Sequence, residues 1–251
     1  MSIAIAIRDA EKRFGHTRAL DGVSLDVQAR DCFGLVGESG SGKTTLMRAI
    51  LGLERLDSGS IALFDVPLGN GGMRQRSRLA QAIFQDPAAS LSPRRRIGQL
   101  LDEIGEVLGE TRDEIRARQH ALFRRLGLPV ATLDKYPYQI SGGQARRVAV
   151  ARALLMKPRI LIADEPTAGL DVSVQGDLLN LLQELRRDSD LTLVVVSHNL
   201  AVVRLIADSA AVMHRGKIVE HGPAAQVFDA PSAGYTQRLI ASWPRLRAAG
   251  A

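Results

Sequence analysis

An apolar run, Cys32-Phe33-Gly34-Leu35-Val36, leads directly into Gly37-Glu38-Ser39-Gly40-Ser41-Gly42-Lys43-Thr44-Thr45, and this junction constrains the chain more than any other stretch. Leu46-Met47-Arg48-Ala49-Ile50-Leu51 follows, with its apolar residues at helical spacing. Strand, glycine-rich loop, lysine, hydroxyl and helix, in that order, are the context a phosphate-binding loop requires. A polyphosphate carries several negative charges, and glycines let successive backbone N–H groups turn inward with no Cβ in the way. A helix beginning near Gly42 adds the positive end of its dipole. In such a loop Lys43 reaches the β- and γ-phosphates and the Thr44 hydroxyl binds Mg2+. The competing reading is a glycine-rich turn that caps a core helix. With strand and helix both in place, the stretch reads as a nucleoside triphosphate site.

A chain of 251 residues suits one or two domains with a sizeable core. Its purely apolar runs, such as Ile3 to Ile7 and Leu193 to Val196, are too short to span a bilayer. Ile3 to Ile7 follows no basic cluster and ends at Arg8 and Asp9, so it does not read as a signal peptide. One cysteine excludes an internal disulfide and any cysteine-rich metal or iron–sulfur site. Cys32, opening the strand before the loop, reads as a small buried hydrophobe. The expectation is a cytoplasmic protein. Its net charge of +6 comes from scattered arginines, and aromatics make up only 4% of the chain. A nucleic-acid partner calls for a concentrated basic face with stacking aromatics. Solvated helix faces are the better reading, with attraction to an anionic membrane surface second.

The first segment reads as strands at Ile3 to Ile7 and Val23 to Val27, with Lys12-Arg13-Phe14-Gly15 between them. Phe14 is ambiguous there, since a single aromatic usually belongs to a core. After the phosphate loop come a turn over Leu53 to Gly59, a strand over Ser60 to Phe64, and a surface loop at Gly69-Asn70-Gly71-Gly72. A further strand, Leu79 to Phe84, ends at Gln85-Asp86-Pro87. Residues 88 to about 157 then show no strand pattern. Ile97 to Leu108 and Arg112 to Leu126 read as helices, the second with Ile115, Leu122 and Leu126 on one face. This is an all-helical insertion within an α/β protein.

At Ser141-Gly142-Gly143-Gln144 a helix starts that runs to Met156. Ser141 and Gln144 fit a capping box. Capping does not explain two adjacent glycines, which weaken a first turn relative to alanine. Bare amides at a helix start make sense if an anion rests against them. Ile160 to Ala163 reads as a central parallel strand ending in Asp164-Glu165-Pro166. Successive residues point to opposite sides of a strand. Asp164 can therefore hold Mg2+ while Glu165 faces the attacking water. A loop through Gly169-Leu170-Asp171 precedes a helix over Val172 to Arg187, whose stripe is Val174, Leu178, Leu181, Leu182 and Leu185. Leu191 to Val196 is a buried strand ending at Ser197-His198-Asn199, where α/β sheets place ligand-contacting groups. A short helix over Leu200 to Ile206, strands over Ala210 to Met213 and Lys217 to Glu220 turning at Arg215-Gly216, and terminal helices complete the chain.

The order of these motifs resembles that of the ATP-binding subunits of ABC transporters, over essentially the whole chain. The second glycine motif, Ser141-Gly142-Gly143-Gln144, is the specific part. The resemblance implies a P-loop NTPase (RecA-like) core with an antiparallel β subdomain and an all-helical subdomain insertion. Residues 1–87 and 158–251 would form the core and β subdomain, and 88–157 the helical subdomain, of a single ATPase domain. By the same resemblance Phe14 stacks on adenine, and Gln85 contacts Mg2+ and the attacking water. Glu165 is the general base or water-positioning carboxylate, and His198 touches the γ-phosphate. Ser141, Gly142, Gly143 and Gln144 close on ATP held by a second subunit, identical or paralogous, and Asp171 lies in the loop joining the two sites. The implied machine is an importer at the cytoplasmic face of the membrane. Two integral membrane permease subunits and an extracytoplasmic solute-binding protein complete it.

Phe84-Gln85-Asp86-Pro87-Ala88-Ala89-Ser90-Leu91-Ser92-Pro93 and Tyr235-Thr236-Gln237-Arg238-Leu239-Ile240 look like the peptide/nickel uptake branch. Three departures from the family pattern stand out. The glycine motif opens with Ile140 rather than Leu, and its helix continues Ala145-Arg146-Arg147 rather than Arg-Gln-Arg, which bears on contacts across the dimer. Asn199 also replaces the usual Asp after His198. A cysteine cluster found near the C-terminus of many peptide-importer relatives is absent, which tilts the cargo toward nickel or a metal chelate. The rival readings are a subunit of a phosphonate-degrading complex, an ABC-type ATPase of DNA repair or translation, and an ordinary P-loop kinase.

Overall fold

A computed structural model describes residues 2–67, 73–86 and 91–243. The expected loop Gly69 to Gly72 and the stretch Pro87 to Ser90 lie outside the described residues. In chain order the strands are β1 (Ile3–Phe14), β2 (Thr17–Gln28), β3 (Cys32–Val36), β4 (Ser58–Leu63), β5 (Val66–Pro67) and β6 (Ala80–Ile83). They continue with β7 (Ile160–Asp164), β8 (Thr192–Ser197), β9 (Ser209–His214) and β10 (Lys217–Pro223). The helices are α1 (Lys43–Leu51), α2 (Met73–Leu79), α3 (Ile97–Leu108), α4 (Arg112–Arg125) and α5 (Gly142–Leu155). After them come α6 (Val172–Arg187), α7 (Leu200–Ile206), α8 (Ala224–Asp229) and α9 (Gly234–Ala241). The chain divides into two compact units, residues 1–68 with 194–251, and residues 69–193, so that the division falls within β8.

In the first unit β1 pairs antiparallel with β2 on one side and β4 on the other, giving the order β2-β1-β4-β5. The β1–β2 ribbon is far longer than the two short strands expected. Its register shifts between Ile7 and Ala10 and again on either side of Lys12, with Asp9 at φ 45°. Each bulge resets which face a residue takes, so the two-residue alternation that marks a strand in sequence is lost. Buried β3 runs parallel to β9, which pairs antiparallel with β10. Helix α7 lies on β3 at Gly34, where a Cβ would come 2.0 Å from Val203 Cγ1.

In the second unit β6 runs parallel to the fully buried β7. Between residues 91 and 157 the described chain has no strand, and α3, α4 and α5 pack on one another. Their core includes Ile97, Leu101, Ile115, Phe123, Leu126 and Val148. The face of α4 differs from expectation, for Phe123 is buried and Leu122 only half-buried. Gln119 lies one turn before Phe123, fully buried, with Nε2 donating to Asp102 Oδ1 at 2.9 Å. A satisfied polar residue in the stripe hides it from a count of apolar positions. Along α6, Leu178, Leu179, Leu182 and Leu185 are buried, while Val174 and Leu181 are half-buried. Among the described residues no helix is long and apolar enough to cross a membrane.

Candidate active site

In the first unit the loop between β3 and α1 is shaped by close approaches. A Cβ on Gly37 would lie 2.2 Å from the carbonyl oxygen of Met213, and one on Gly42 would lie 2.3 Å from that of Ala19. Gly42 also has φ 110°, a conformation L side chains rarely adopt. Lys43 is nearly buried, its Nζ donating to the carbonyls of Gly37 at 2.8 Å and Glu38 at 2.9 Å. The ammonium is thus folded back over its own loop. Ser41 Oγ is buried and makes no hydrogen bond among the described residues, a polar atom left for a ligand to satisfy. The first α1 bond runs from Leu46 N to Gly42 O, so the amides of Thr44 and Thr45 have no acceptor within the helix. Thr44 is exposed at that end. Curled main chain, a buried lysine, an unsatisfied hydroxyl and a helix start fit a polyphosphate in charge and in donors.

The ring of Phe14 is 51% exposed, which settles its ambiguity against the core. Lys12 Nζ lies 5.3 Å from the ring centroid and bonds Glu54 at 2.8 Å. His198 is exposed just past β8. Asn199 caps α7, its side chain accepting from the Val202 amide at 3.2 Å, a task that the usual Asp would also perform.

The remaining candidates belong to the second unit. Asp164 ends β7 and is buried, whereas Glu165 is half-buried at φ 48°. Gln85 is exposed beyond β6. Asp171 is exposed at the start of α6 and makes no side-chain cap bond. Ser141 and Gln144 form the expected capping box, Gln144 N donating to Ser141 Oγ at 3.2 Å and Ser141 N to Gln144 Oε1 at 3.1 Å. A Cβ added to Gly142 or Gly143 would meet nothing within 4 Å among the described residues. Packing among the described residues therefore does not require either glycine. A cleft of about 480 Å3 opens beside them, lined by Gln85, Asp86, Arg146 and Gly169 among others. Mg2+ favours hard oxygen donors, and the Thr44 hydroxyl, the Gln85 amide oxygen and the Asp164 carboxylate are of that kind.

Arg146 is the site residue that motif reasoning passes over. It is buried, and its guanidinium donates to the carbonyls of Pro166, Gln85 and Ala168. The one trace of it in the sequence is the departure from Arg-Gln-Arg after the glycine pair.

A phosphate loop of this geometry, with a strand ending in Asp-Glu and a glycine-headed capped helix, defines a P-loop nucleoside triphosphatase. Residues 20–168 match the family model described as ABC transporter. The chain belongs to the ABC transporter family, as an ATP-binding, ATP-hydrolysing subunit. It is 40% identical over 241 residues to the di/tripeptide transport ATP-binding protein DppF of Pseudomonas aeruginosa, spanning 94% of this chain and 74% of that one. It is 42% identical over 237 residues to the dipeptide transport ATP-binding protein DppF of Lactococcus lactis, covering 92% and 76%. Among solved structures it resembles cbiO1 of Clostridium perfringens, part of the ABC transporter complex cbiONQ, at TM-score 0.83 and 28% identity, with 92% of each chain covered. It also resembles the dimeric ATP-binding cassette MJ0796, bound to ADP and Pi after hydrolysis, at TM-score 0.77 and 25% identity, covering 88% and 98%.

Proposed function

We propose that this subunit powers the uptake of di- or oligopeptides through partner permeases, with two ATP molecules sandwiched between it and a second ATPase subunit. Of the two cargo classes the sequence resemblance allows, the names of the relatives favour peptides. The motor reading is carried by Gly142 and Gly143, which cost helix stability and fill no packing need among the described residues of their own chain. Their use is to let the amides at the start of α5 approach a phosphate held by the sister subunit.

In this mechanism the phosphate loop, Gly37 to Thr45, grips the triphosphate, and Phe14 stacks on the adenine. Lys43 exchanges its carbonyl acceptors for β- and γ-phosphate oxygens and neutralises their charge. Thr44, Asp164 and Gln85 would hold Mg2+, which supplies further neutralisation of phosphate oxygens. Glu165 takes or orients the proton of the attacking water, and His198 donates to the γ-phosphate. Ser141 and Gln144 fix the helix start that completes the site, and Asp171 sits where the two subunits' sites communicate. With the single-domain division expected from the sequence, a core with β subdomain and a helical part over residues 88–157, closing and opening would be transmitted to the permeases through a groove near Gln85 and that helical part. The subunit would then work peripherally at the cytoplasmic face of the membrane, supplied by an extracytoplasmic solute-binding protein.

Glu165→Gln tests the reading. The variant is expected to bind ATP, to lose most turnover, and to accumulate as a nucleotide-bound dimer by light scattering. Full turnover in that variant would overturn the assignment.

A further inference from the structure

Arg146 carries a buried charge, with 7% of the residue exposed, yet the three acceptors of its guanidinium are all main-chain carbonyls. Nη1 donates to Pro166 O, while Nη2 donates to Gln85 O at 3.2 Å and Ala168 O at 3.1 Å. A buried cation is costly unless hydrogen-bonded, so this fork is a built feature. It joins three segments. Gln85 follows β6, Pro166 and Ala168 follow the end of β7, and Arg146 itself belongs to the second turn of the helix headed by Gly142 and Gly143.

The place it grips is strained. Glu165, at φ 48°, is a non-glycine residue in the left-handed region. Such a residue persists only where its surroundings over-determine it. The turn that follows is closed by Ala168 N donating to Glu165 O at 3.1 Å. Arg146 bonds the carbonyls of Pro166 and Ala168 in that same turn. Burial pulls the guanidinium below its ordinary pKa, and the charge of Asp86, one residue after Gln85, offsets only part of that.

We propose that Arg146 is a positioning residue for hydrolysis: by clamping the Pro166–Ala168 turn and the Gln85 main chain to α5, it sets the direction of the Glu165 carboxylate. This rests on Glu165 acting on the attacking water. A planar guanidinium can bond three carbonyls in one fork, and an ammonium cannot reproduce that geometry.

The test uses the full chain and compares Arg146→Lys and Arg146→Gln with wild type, each assayed well below its own melting temperature. We expect kcat to fall by roughly tenfold to a hundredfold, the cost of a small misplacement of a reacting group. KM for ATP should stay within about twofold, because the phosphate loop is untouched. In a Glu165→Gln background, single-turnover hydrolysis should fall no further on adding Arg146→Lys, because the group being positioned is already gone. A kcat near wild type in either folded variant overturns the proposal. So does a KM that rises in step with the loss of kcat, or a loss that multiplies in the Glu165→Gln background. If Arg146→Lys does not fold, Arg146→Gln is judged by the same three criteria. A wild-type chain that hydrolyses no ATP would instead defeat the functional reading itself.

Discussion

The ring of Tyr235 stacks on that of His214, centroids 3.8 Å apart and planes 28° from parallel. Two residues past His214, the Gly216 amide donates to Ser41 O at 2.8 Å, inside the phosphate loop. Glu220 on β10 pins the entry to α9, accepting from Ser232 N at 2.7 Å, Ser232 Oγ at 3.0 Å and Ala233 N at 3.2 Å. Helix α9 is thereby linked, through the turn after β9, to the phosphate loop. Burial, and after it the nearby Glu38 carboxylate, push the Tyr235 phenol above its ordinary value of 10. Tyr235→Ala should cost about 1 kcal/mol of stacking, besides its buried area, and weaken ATP binding. Tyr235→Phe should keep the stack. A raised phenol favours the folded state below the unfolded pKa and loses that advantage as pH climbs through the folded one. Thermal melts should therefore show wild type losing stability relative to Tyr235→Phe above pH 10, and not between pH 7 and 9.

Gly142 and Gly143 set stability against function. Among the described residues nothing within 4 Å blocks a methyl group at either position. Alanine should therefore stabilise α5 by up to about 1 kcal/mol per site, read as a higher melting temperature. The same methyl groups would stand between the helix amides and a phosphate. Gly143→Ala should hydrolyse ATP at least about tenfold more slowly in a steady-state assay and dimerise poorly with ATP. A variant both more stable and fully active would show that the glycine pair has no ligand.

Phe14, half exposed beside Lys12, invites a stacking partner. Aromatic stacking on a base is worth about 1–3 kcal/mol. Phe14→Ala should raise KM for ATP by roughly fivefold to a hundredfold with kcat little changed, because a ring stacked on the adenine would act on binding and not on the transferred phosphate. Phe14→Trp should restore KM, which a steady-state titration would reveal.

What could be read from the sequence depended on whether its cause was local. The phosphate loop and the Ser141–Gln144 cap are contiguous and their chemistry is written in four to nine residues. Helices α3 and α6 fall on the expected 97–108 and 172–187 because an apolar stripe runs the length of each. Arg146 and Gln119 escaped because their partners, Gln85 and Asp102, lie elsewhere in the chain. No periodicity announces such a pair. The β1–β2 ribbon escaped for a different reason, since its bulges break the alternation by which a strand is recognised. Asn199 departs from the pattern yet keeps one local task, since its side chain caps α7 and an Asp there could do the same.

Glu110, between α3 and α4, gathers cations from two further places in the second unit. Its carboxylate accepts from Arg118 on α4 and from Lys157 just past α5, the latter at 3.0 Å. Arg118 also donates to the carbonyl of Leu155, the last residue of α5. One carboxylate thus clips three helices together, and the Arg118 bond, foremost, with Lys157 behind it, holds Glu110 below its ordinary value of 4.5. A depressed carboxylate stabilises the fold above its unfolded pKa, and the benefit disappears as pH falls through the folded one. Glu110→Gln should therefore lower unfolding stability at pH 7 by about 1 kcal/mol, as expected of a partly shielded ion pair. The gap between variant and wild type should narrow steadily below pH 4.5 in urea titrations. High salt should narrow it too at neutral pH, though less, because the pair is only partly open to solvent. A gap independent of pH would mean that Glu110 acts through shape rather than charge.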